Sequence, residues 1–329
     1  MTIVSDGCNH QDFVCRRHIF QVCFGLELRH LRYFVAVAEE GSLTSAAERR
    51  LHTAQPSLSR QIRDLELEVG VKLLDRGVRG IELTAAGRAF LDHARLVLLQ
   101  VEAAGEAARR AARPEKAAFV IGFLTGHEVT WLPDVLRILH EEEPDIEITL
   151  VSQPSPDLAG ALMRGKADVA FLRRETQAPG VAFRFMIKEP LVAMVPTGHR
   201  LAAHKEITPQ EIAEETYITP TRYAPVLKSV IDDYMSKLGI ALKPEYDADN
   251  ITSTMSLVAS TGGVTVLPIY VQNLLSPSVV LRPLKGAPPT IDLVMGYSRS
   301  NTSPLLKRLL ARSDELIEAV KRRSTLAIS

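Results

Sequence analysis

The sequence predicts a multidomain α/β chain whose first part is mainly helical. Short helical stripes and a hairpin pattern occupy residues 28–83, and an alanine-rich run without proline follows over 84–113. From residue 116 onward, strand-like apolar runs alternate with helical patterns, which is typical of an α/β domain. The chain has 329 residues, enough for two or three domains.

The composition is that of a globular protein, with 46% hydrophobic and 24% charged residues. The formal net charge of zero neither supports nor excludes a polyanionic partner. No apolar run approaches the roughly 20 residues that span a bilayer, and the first residues lack the pattern of a signal peptide. We therefore expect a cytoplasmic protein without a membrane partner. All three cysteines lie before residue 25, so the main body uses no thiol chemistry.

Three helices are predicted at the start of the main body. Apolar residues recur at helical spacing over 28–40, Gly41 ends that helix, and Ser42 is a suitable N-cap for the next one. The third helix begins near Gln55, with its buried stripe at Leu58, Ile62 and Leu65. Small apolar residues let the second helix pack closely against its neighbour. The third helix can then present its polar edge outward. This favours a helix-turn-helix that enters the major groove over a merely solvated amphipathic helix.

A short hairpin is predicted after the third helix, with arginines near its tip. Such a basic wing grips the DNA backbone or the minor groove beside a recognition helix. Charge supports this only weakly, because residues 42–79 hold seven Lys/Arg against five Asp/Glu. Gln and Arg read base edges and Ser bonds phosphates. The predicted DNA-binding residues are Ser45, Thr53, Gln55, Pro56, Ser57, Ser59, Arg60, Arg63, Arg76 and Arg79.

These residues carry a resemblance to a known family. The segments LRHLRYFVAVAEEGSLTSAAE, LHTAQPSLSRQIRDLELEVGVKLLDR and IELTAAG resemble the winged helix-turn-helix of LysR-type transcriptional regulators. The match includes a Q-x-x-L-S-x-x-I core and an L-T-x-x-G wing exit, and the layout extends it over residues 26–320. The resemblance implies a winged helix-turn-helix domain over 26–83, with double-stranded operator DNA as its partner.

The sequence departs from the family pattern in the second helix. The family spacing is A-A-x-x-L-(x)₃-Q, whereas A-A-E-R-R-L is one residue longer, at Arg49 or Arg50. One extra residue rotates a helix by about 100°, so the helix must absorb it as a bulge or push it into the turn. We predict a local distortion between Glu48 and Thr53, with the third helix kept in place by its buried leucines and isoleucine.

Residues 84–113 predict a linker and dimerisation helix. Apolar residues spaced alternately by four and three form a seam over three heptads. The seam consists of Phe90, Ala94, Val97, Val101, Ala104, Ala108 and Ala111. Packing within one chain is the alternative, but a two-position seam is narrower than an ordinary core face. The resemblance implies a dimer through this helix, assembly into a tetramer, and RNA polymerase as a further partner.

The rest of the chain predicts two α/β lobes built on a mainly parallel sheet. The first lobe comprises 116–188 and 291–320, the second 189–290, and 321–329 form a frayed tail. The resemblance implies the two-lobed fold of periplasmic binding proteins, with an effector in the cleft. Ligands of such sheets bind beyond the carboxyl ends of strands. The residues at those ends are Thr125, Gly126, His127, Ser155, Arg173, Thr219, Pro220, Asn250 and Ile251.

Within this set, the family's effector contacts fall near Gly126, Ser155, Arg173 and Ile251. Only Ser155 and Arg173 have side chains suited to gripping an anion. The segments IGFLTGHEVTWLPDVL, NITSTMSLVASTGGVTVLP and LRPL resemble regulators of aromatic-acid catabolism, of the phenylpropanoate and benzoate type. The resemblance therefore implies a small aromatic carboxylate as effector and transcriptional control of a catabolic operon.

No catalytic or metal-binding residues are predicted, and no cofactor. The segment HEVTW fails the H-E-x-x-H zinc pattern because Trp131 replaces the second His, and neither a Gly-rich nucleotide loop nor a G-x-S-x-G elbow is present. A transport solute-binding protein without a DNA role predicts a secretion signal instead of a helix-turn-helix. An enzyme on this scaffold lacks a nucleophile–base set, and a thiol-based regulator needs cysteines after Cys23. A regulator with a non-aromatic effector stays open.

Residues 1–25 are predicted to be an extension that the native protein lacks. Family members begin with Met followed at once by ELRHLRYF, and Leu26 stands where that Met would be. The alternative is a thiol or metal clip of Cys8, Cys15, Cys23, His10 and His18, but C-x₆-C-x₇-C matches no ordinary zinc pattern. Intact-mass spectrometry of protein from its own host is expected to show a chain that begins at residue 26. A mass that includes Met1–Gly25 would refute this late start.

Overall fold

The computed structural model describes residues 25–77, 80–112, 118–220 and 223–326. The chain divides into two compact units, Met1–Val101 and Glu102–Ser329. The predicted extension, apart from Gly25, lies outside the described residues. In the part of the chain that the structure describes, no helix is both long enough and apolar enough to cross a membrane.

The first unit contains three helices, a hairpin and the start of a long helix. These elements are α1 Leu28–Glu40, α2 Leu43–Ser45, α3 Gln55–Val69, β1 Leu74–Gly77, β2 Gly80–Leu83 and α4 Ala85–Ala111. Gly41 ends α1 in the left-handed conformation at φ 63°, and the Ser42 hydroxyl accepts a hydrogen bond from the Ser45 N–H. The two hairpin strands pair antiparallel. The predicted helix-turn-helix and its hairpin wing are therefore confirmed.

The second helix changes its winding where the extra arginine lies. From Ala46 to Leu51 it continues as a π-helix, and His52 follows with a left-handed φ of 48°. A π turn holds one residue more than an α turn, so the wide turn absorbs the insertion. The Thr53 N–H then donates to the Ala47 carbonyl at 3.0 Å. The distortion predicted between Glu48 and Thr53 is confirmed.

The insertion leaves the third helix in its packed position. Leu58, Ile62 and Leu65 are almost fully buried in the core of the first unit. Arg50 forms an ion pair with Glu39, which also accepts two hydrogen bonds from Arg95, from Nε at 3.1 Å and Nη2 at 2.7 Å. Burial raises the pKa of Glu39, but the hydrogen bonds and charges of both arginines lower it by more. The pKa of Glu39 therefore lies below its ordinary value.

The wing joins α4 through a close backbone contact. A Cβ at Gly87 would lie 1.9 Å from the Leu73 carbonyl oxygen, so only glycine fits there. The Thr84 hydroxyl accepts a hydrogen bond from the Gly87 N–H at 2.9 Å and donates one to the Lys72 carbonyl at 2.8 Å. This contact explains why an L-T-x-x-G segment follows the hairpin.

The first part of the predicted dimerisation seam packs against its own chain. The Phe90 ring meets the Phe34 ring edge-on, with centroids 5.1 Å apart, and Ala94 is 2% exposed in the same core. The prediction that Ala94 contacts a partner helix is wrong, because the core of the helix-turn-helix already covers it. Phe90 is likewise engaged by Phe34 of its own chain. Val97 and Val101 are 43% and 37% exposed, and Ala104 and Ala108 are exposed as well.

The second unit is an α/β assembly around one long sheet. Its strands are β3 Ala118–Phe123, β4 Glu147–Ser152, β5 Val169–Leu172, β6 Val181–Pro196, β7 Tyr217–Thr219, β8 Pro244–Asp247, β9 Thr265–Pro268, β10 Val279–Pro283 and β11 Thr290–Ser298. Its α-helices are α5 Leu132–Glu142, α6 Ser155–Met163, α7 Pro209–Ala213, α8 Pro225–Lys237, α9 Ile251–Thr261, α10 Pro304–Ala311 and α11 Ser313–Leu326. Short 3-10 turns occur at Glu128–Thr130, Arg200–Ala203 and Ile269–Leu274.

The sheet is mixed rather than mainly parallel, so that prediction is wrong. Its strand order is β10-β6-β11-β5-β3-β4, with β9 also beside β6. The parallel pairs in this sheet are β3 with β4 and β3 with β5. Strands β6 and β11 run antiparallel to each other and to their other neighbours. A separate pair, β7 and β8, is parallel. The first half of β6, residues 181–189, had no predicted strand.

Separate hydrophobic cores, two in the first lobe and one in the second, divide this unit along β6. The first lobe packs Trp131 on Phe171, with ring centroids 3.7 Å apart, and includes Ile187. The second lobe has its own core, which begins at Leu191. Glu189 therefore lies on the strand segment where the chain passes from one core to the other. The return crossing is made by β11, with Ile291 in the second core and Leu293 in the first.

The C-terminal segment is more ordered than the predicted frayed tail. The predicted single helix is two helices, and α11 continues to Leu326. The prediction that 321–326 fray is wrong because Val320 is fully buried, and because Arg323 pairs with Asp134 at 3.1 Å. Residues 327–329 lie outside the described residues.

Deletion of Arg50 tests whether the wide turn merely accommodates the insertion. The deletion removes a half-exposed ion pair worth about 0–1 kcal/mol and lets the turn close to α geometry. We expect an unfolding free energy within about 1 kcal/mol of the wild type and unchanged or tighter DNA binding, measured by denaturant titration and fluorescence anisotropy. The matched control is Arg50→Ala, which removes the ion pair and keeps the extra residue. Unfolding of the deletion variant, or loss of DNA binding, would show that the insertion is structural.

Candidate DNA-binding face and effector cavity

The N-terminal half of α3 presents polar side chains to solvent. Pro56 and Ser57 in its first turn are exposed, and Gln55 is partly exposed. The Arg60 side chain is 79% exposed and lies 3.9 Å from Asp64, and Arg63 is exposed with its Nε hydrogen-bonded to a backbone carbonyl. Residues in this part of a recognition helix contact base edges in helix-turn-helix complexes. The face has the chemistry that DNA contact requires.

Two of the predicted DNA-binding residues do not belong to this face as predicted. Ser59 is only 8% exposed, because it follows Leu58 on the stripe that packs into the core. The Ser45 hydroxyl donates to Glu40 Oε2 at 2.7 Å and is engaged within the domain. Thr53 is partly exposed before α3. Arg79 lies outside the described residues, and so does the side chain of Arg76.

A cavity of about 240 Å³ opens between the two lobes of the second unit. This volume lies just below the usual range of ligand pockets, about 300–1,000 Å³, so the cavity suits only a small molecule. The first lobe contributes Leu124, Thr125, Ser152, Gln153, Pro154, Ser155, Arg173 and Glu175. The second contributes Tyr223, Ala224, Val226, Leu227, Asn250, Ile251, Leu267, Pro268 and Tyr270.

The first turns of three helices meet at this cavity. Ser155 begins α6, Val226 lies in the first turn of α8, and Ile251 begins α9; all three line the wall. Neither α6 nor α8 has a side-chain cap, whereas Asn250 caps α9 by accepting from the Ser253 N–H at 2.8 Å. Helix N-termini carry partial positive charge and attract anions. The cavity is therefore polarised in favour of an anionic ligand.

Hydroxyl groups line the first-lobe side of the cavity. The Thr125 and Ser152 hydroxyl oxygens lie 2.5 Å apart, at the ends of neighbouring parallel strands β3 and β4. Ser155 is buried, and its Oγ accepts a hydrogen bond from the Arg173 backbone N–H at 2.9 Å. The serine was predicted to bind an anion directly. Its observed bond instead fixes the backbone that carries Arg173.

A buried ion pair forms the floor between the lobes. Arg173 Nη1 lies 2.6 Å from Glu189 Oε2, and both side chains are about 5% exposed. At this distance Nη1 is engaged directly by the Glu189 carboxylate. Among the described residues, Arg173 Nη2 has no hydrogen-bond partner. The guanidinium thus faces the cavity with donors to spare, and its carbon lies 5.5 Å from the Tyr270 ring centroid.

Glu189 has a second partner in His127. His127 is fully buried, with Nε2 at 3.0 Å from Glu189 Oε2 and its ring 4.6 Å from that of Tyr270. Burial raises the pKa of Glu189, but attraction to His127 and Arg173 outweighs it and lowers the pKa from 4.5 to about 2. Glu189 is therefore ionised at neutral pH.

Four predicted effector residues lie near the cavity but do not line it. His127 contacts Glu189 instead, and the Gly126 carbonyl accepts from Asn273 Nδ2 at 2.9 Å, so both serve contacts within the protein. Thr219 is buried and its carbonyl accepts from the Ala248 N–H, while the Pro220 carbonyl accepts from the Ala224 N–H. These four residues do not line the cavity, and their contact with the ligand stays a prediction.

The cavity also contains residues that the sequence did not single out. Ser152 is the last residue of β4 and Tyr270 follows β9, so the strand-end rule applied more fully would have found them. Glu175 lies two residues beyond Arg173 on the same loop. Glu189 is inside a strand, and no local pattern marks it. In the described part of the chain, no three His, Cys, Asp or Glu side chains are placed to hold a metal ion.

Two family models match the chain. Residues 28–88 match the bacterial regulatory helix-turn-helix protein of the lysR family, and residues 112–316 match the LysR substrate binding domain. The two matches coincide with the helix-turn-helix and with the two-lobed unit.

Individual relatives match over nearly the whole chain. The Hca operon transcriptional activator HcaR of Escherichia coli (strain K12) is 38% identical over 90% of this chain and 99% of the relative. The HTH-type transcriptional regulator AlsR of Bacillus subtilis (strain 168) is 34% identical over 87% of this chain and 94% of the relative. The crystal structure of CbnR, a LysR family transcriptional regulator, is similar with a TM-score of 0.51 at 26% identity, covering 90% of this chain and all of that one.

The pH dependence of stability tests the buried ion pair. A folded-state pKa of about 2 against 4.5 means that ionised Glu189 stabilises the fold above pH 4.5 and that this stabilisation is lost as the pH falls toward 2. The loss amounts to about 3 kcal/mol of unfolding free energy. The matched control is the double variant Arg173→Met/Glu189→Gln, which leaves no half of the pair buried alone. Denaturant titrations should show a smaller loss in the double variant. An identical loss in both proteins would contradict the assignment.

Proposed function

Because the chain belongs to the LysR family of bacterial helix-turn-helix regulators, we propose that its effector is a small aromatic carboxylate bound in the cavity between the lobes. Family membership makes the protein a DNA-binding transcriptional regulator that responds to a small molecule. The relatives are regulators rather than enzymes. The identity of the effector and the residues that hold it are the proposal.

The observation that carries the proposal is the meeting of a buried guanidinium and three helix N-termini at one small cavity. Arg173 Nη2 is buried without a hydrogen-bond partner among the described residues, and unmade bonds of this kind are costly unless a ligand supplies the acceptor. The first turns of α6, α8 and α9 add partial positive charge. A carboxylate satisfies both. Planar carboxylates also match the fork of an arginine.

The remaining wall is apolar and suits a ring. Leu124, Leu227 and Ile251 line it together with the aromatic rings of Tyr223 and Tyr270. Apolar walls with a few fixed polar groups are the usual form of a small-ligand site. A volume of about 240 Å³ leaves room for one ring and a short chain rather than a larger metabolite. These features favour an aromatic acid over the open alternative of a non-aromatic effector.

We further propose that DNA is bound by a dimer. The exposed part of α4, from Val97 through Ala108, supplies the apolar stripe for a partner helix. Two recognition helices then read a two-fold related operator.

Effector binding would bridge the lobes, across which Asn273 already bonds the Gly126 carbonyl, and shift the spacing of the DNA-binding domains. By analogy with the operon activator HcaR, we propose that the protein activates transcription. Activation would make RNA polymerase a partner, and contact with operator DNA would place the protein in the cytoplasm.

A panel of paired ligands tests the effector class. The arms are benzoate and 3-phenylpropionate, their amides, and cyclohexanecarboxylate, each measured by thermal shift and titration calorimetry with the full chain. We expect the aromatic acids to raise the melting temperature and the amides to have little effect. Equal binding of acids and amides would contradict the anion requirement. Equal binding of cyclohexanecarboxylate would contradict the preference for an aromatic ring.

Removal of the guanidinium tests its role in that binding. Arg173→Ala should weaken binding of an aromatic acid by roughly 2–5 kcal/mol, as for a charge pair left half-made. DNA affinity without effector should remain unchanged in an anisotropy titration. Because this variant also leaves Glu189 buried without its ion-pair partner, the Arg173→Met/Glu189→Gln double variant serves as the control for stability. Wild-type effector affinity in both variants would remove Arg173 from the site.

A further inference from the structure

Glu175 gives the cavity a second, acidic feature. It lines the cavity two residues beyond Arg173, and its Oε1 is buried with no hydrogen-bond partner among the described residues. Burial raises its pKa above the ordinary value of a glutamate. A buried oxygen of this kind has an acceptor site that nothing in the described protein fills. An incoming donor would therefore be favoured at this point.

The charges around the cavity do not neutralise Glu175. Arg173 and Glu175 are the charged residues among the described lining. Arg173 already contacts Glu189 at 2.6 Å and is assigned to the effector carboxylate, so it is not left to neutralise Glu175. Arg174, which lies between them in the sequence, is exposed and has its guanidinium 5.7 Å from the Phe183 ring. A second anion entering beside Glu175 would meet a carboxyl group without a counter-charge.

We propose that the effector carries a neutral hydroxyl group that donates a hydrogen bond to the Glu175 carboxyl group, and that Glu175 excludes dicarboxylates. The proposal rests on the proposed function, since it assumes that the cavity holds an aromatic acid. The effector class is thereby narrowed to hydroxylated aromatic monocarboxylates. The carboxylate of such a ligand binds at the Arg173 guanidinium and the helix N-termini, and its hydroxyl group lies at Glu175. A hydroxyl on the ring fills the acceptor at Oε1 without adding charge.

Matched ligands and variants test this assignment by titration calorimetry on the full chain. The ligands are benzoate, its three monohydroxy isomers, and isophthalate and terephthalate. At least one hydroxy isomer should bind about tenfold or more tightly than benzoate, as expected for a hydrogen bond to a carboxyl group. The dicarboxylates should bind more weakly than benzoate.

The variants separate the hydrogen bond from the charge. Glu175→Ala should abolish the hydroxyl preference. Glu175→Gln, which keeps an acceptor oxygen and removes the charge, should retain part of that preference and admit the dicarboxylates. The control Glu147→Gln, an exposed residue on the edge strand β4, should behave as the wild type. Melting temperatures establish that each variant is folded.

The outcomes distinguish this inference from the proposed function. Binding of benzoate without a preference for any hydroxy isomer, or a preference that survives Glu175→Ala, overturns the inference and leaves the aromatic acid in place. Binding of dicarboxylates as tight as benzoate in the wild type also overturns it. Binding of 3-phenylpropionate without binding of any hydroxybenzoate overturns the inference alone. Failure of every aromatic acid in both panels to bind overturns both the inference and the proposed function.

Discussion

The buried pair of Arg173 and Glu189 is the interaction on which the effector unit depends. Glu189 lies where β6 passes from the first core to the second, and Arg173 directly follows β5 and lines the cavity. Burying either charge alone would cost several kcal/mol, so each side chain requires the other. One interaction thus fixes the crossing between the lobes and the guanidinium that faces the ligand. Because His127 and Tyr270 pack around the same carboxylate and cation, the pair couples both lobes to the cavity.

The DNA-binding domain follows a different constraint, the close packing of small helices. Leu58, Ile62 and Leu65 hold α3 against the core so firmly that an additional residue upstream changes only the winding of the preceding helix. The π turn and the left-handed His52 confine the irregularity to six residues and the start of the turn. The polar edge of α3 therefore keeps its place in the domain. In this domain, side-chain packing decides the position of an element, and local backbone geometry adapts.

Much of the fold could be predicted from the sequence because periodic patterns report local burial. The helical stripe of α3, the L-T-x-x-G exit and the alternation of strands with helices all led to elements that are present. The mixed sheet was missed because residues 181–189 carry polar and apolar side chains without a clear alternation. Strand ends located Thr125, Ser155, Arg173, Asn250 and Ile251 at the cavity wall. Glu189 could not be predicted as the partner of Arg173, since only the tertiary fold brings these residues together.

We propose that the cavity beside Arg173 binds the effector through its carboxylate. A crystal structure of the full chain with a bromine-labelled aromatic acid is the decisive measurement, because anomalous scattering locates the ring. We expect the ring against Leu124 and Ile251, with the carboxylate within hydrogen-bonding distance of the Arg173 guanidinium. Density for the ligand in the separate cavity lined by Val129, Lys188 and Arg323, with the Arg173 cavity unoccupied, would contradict it.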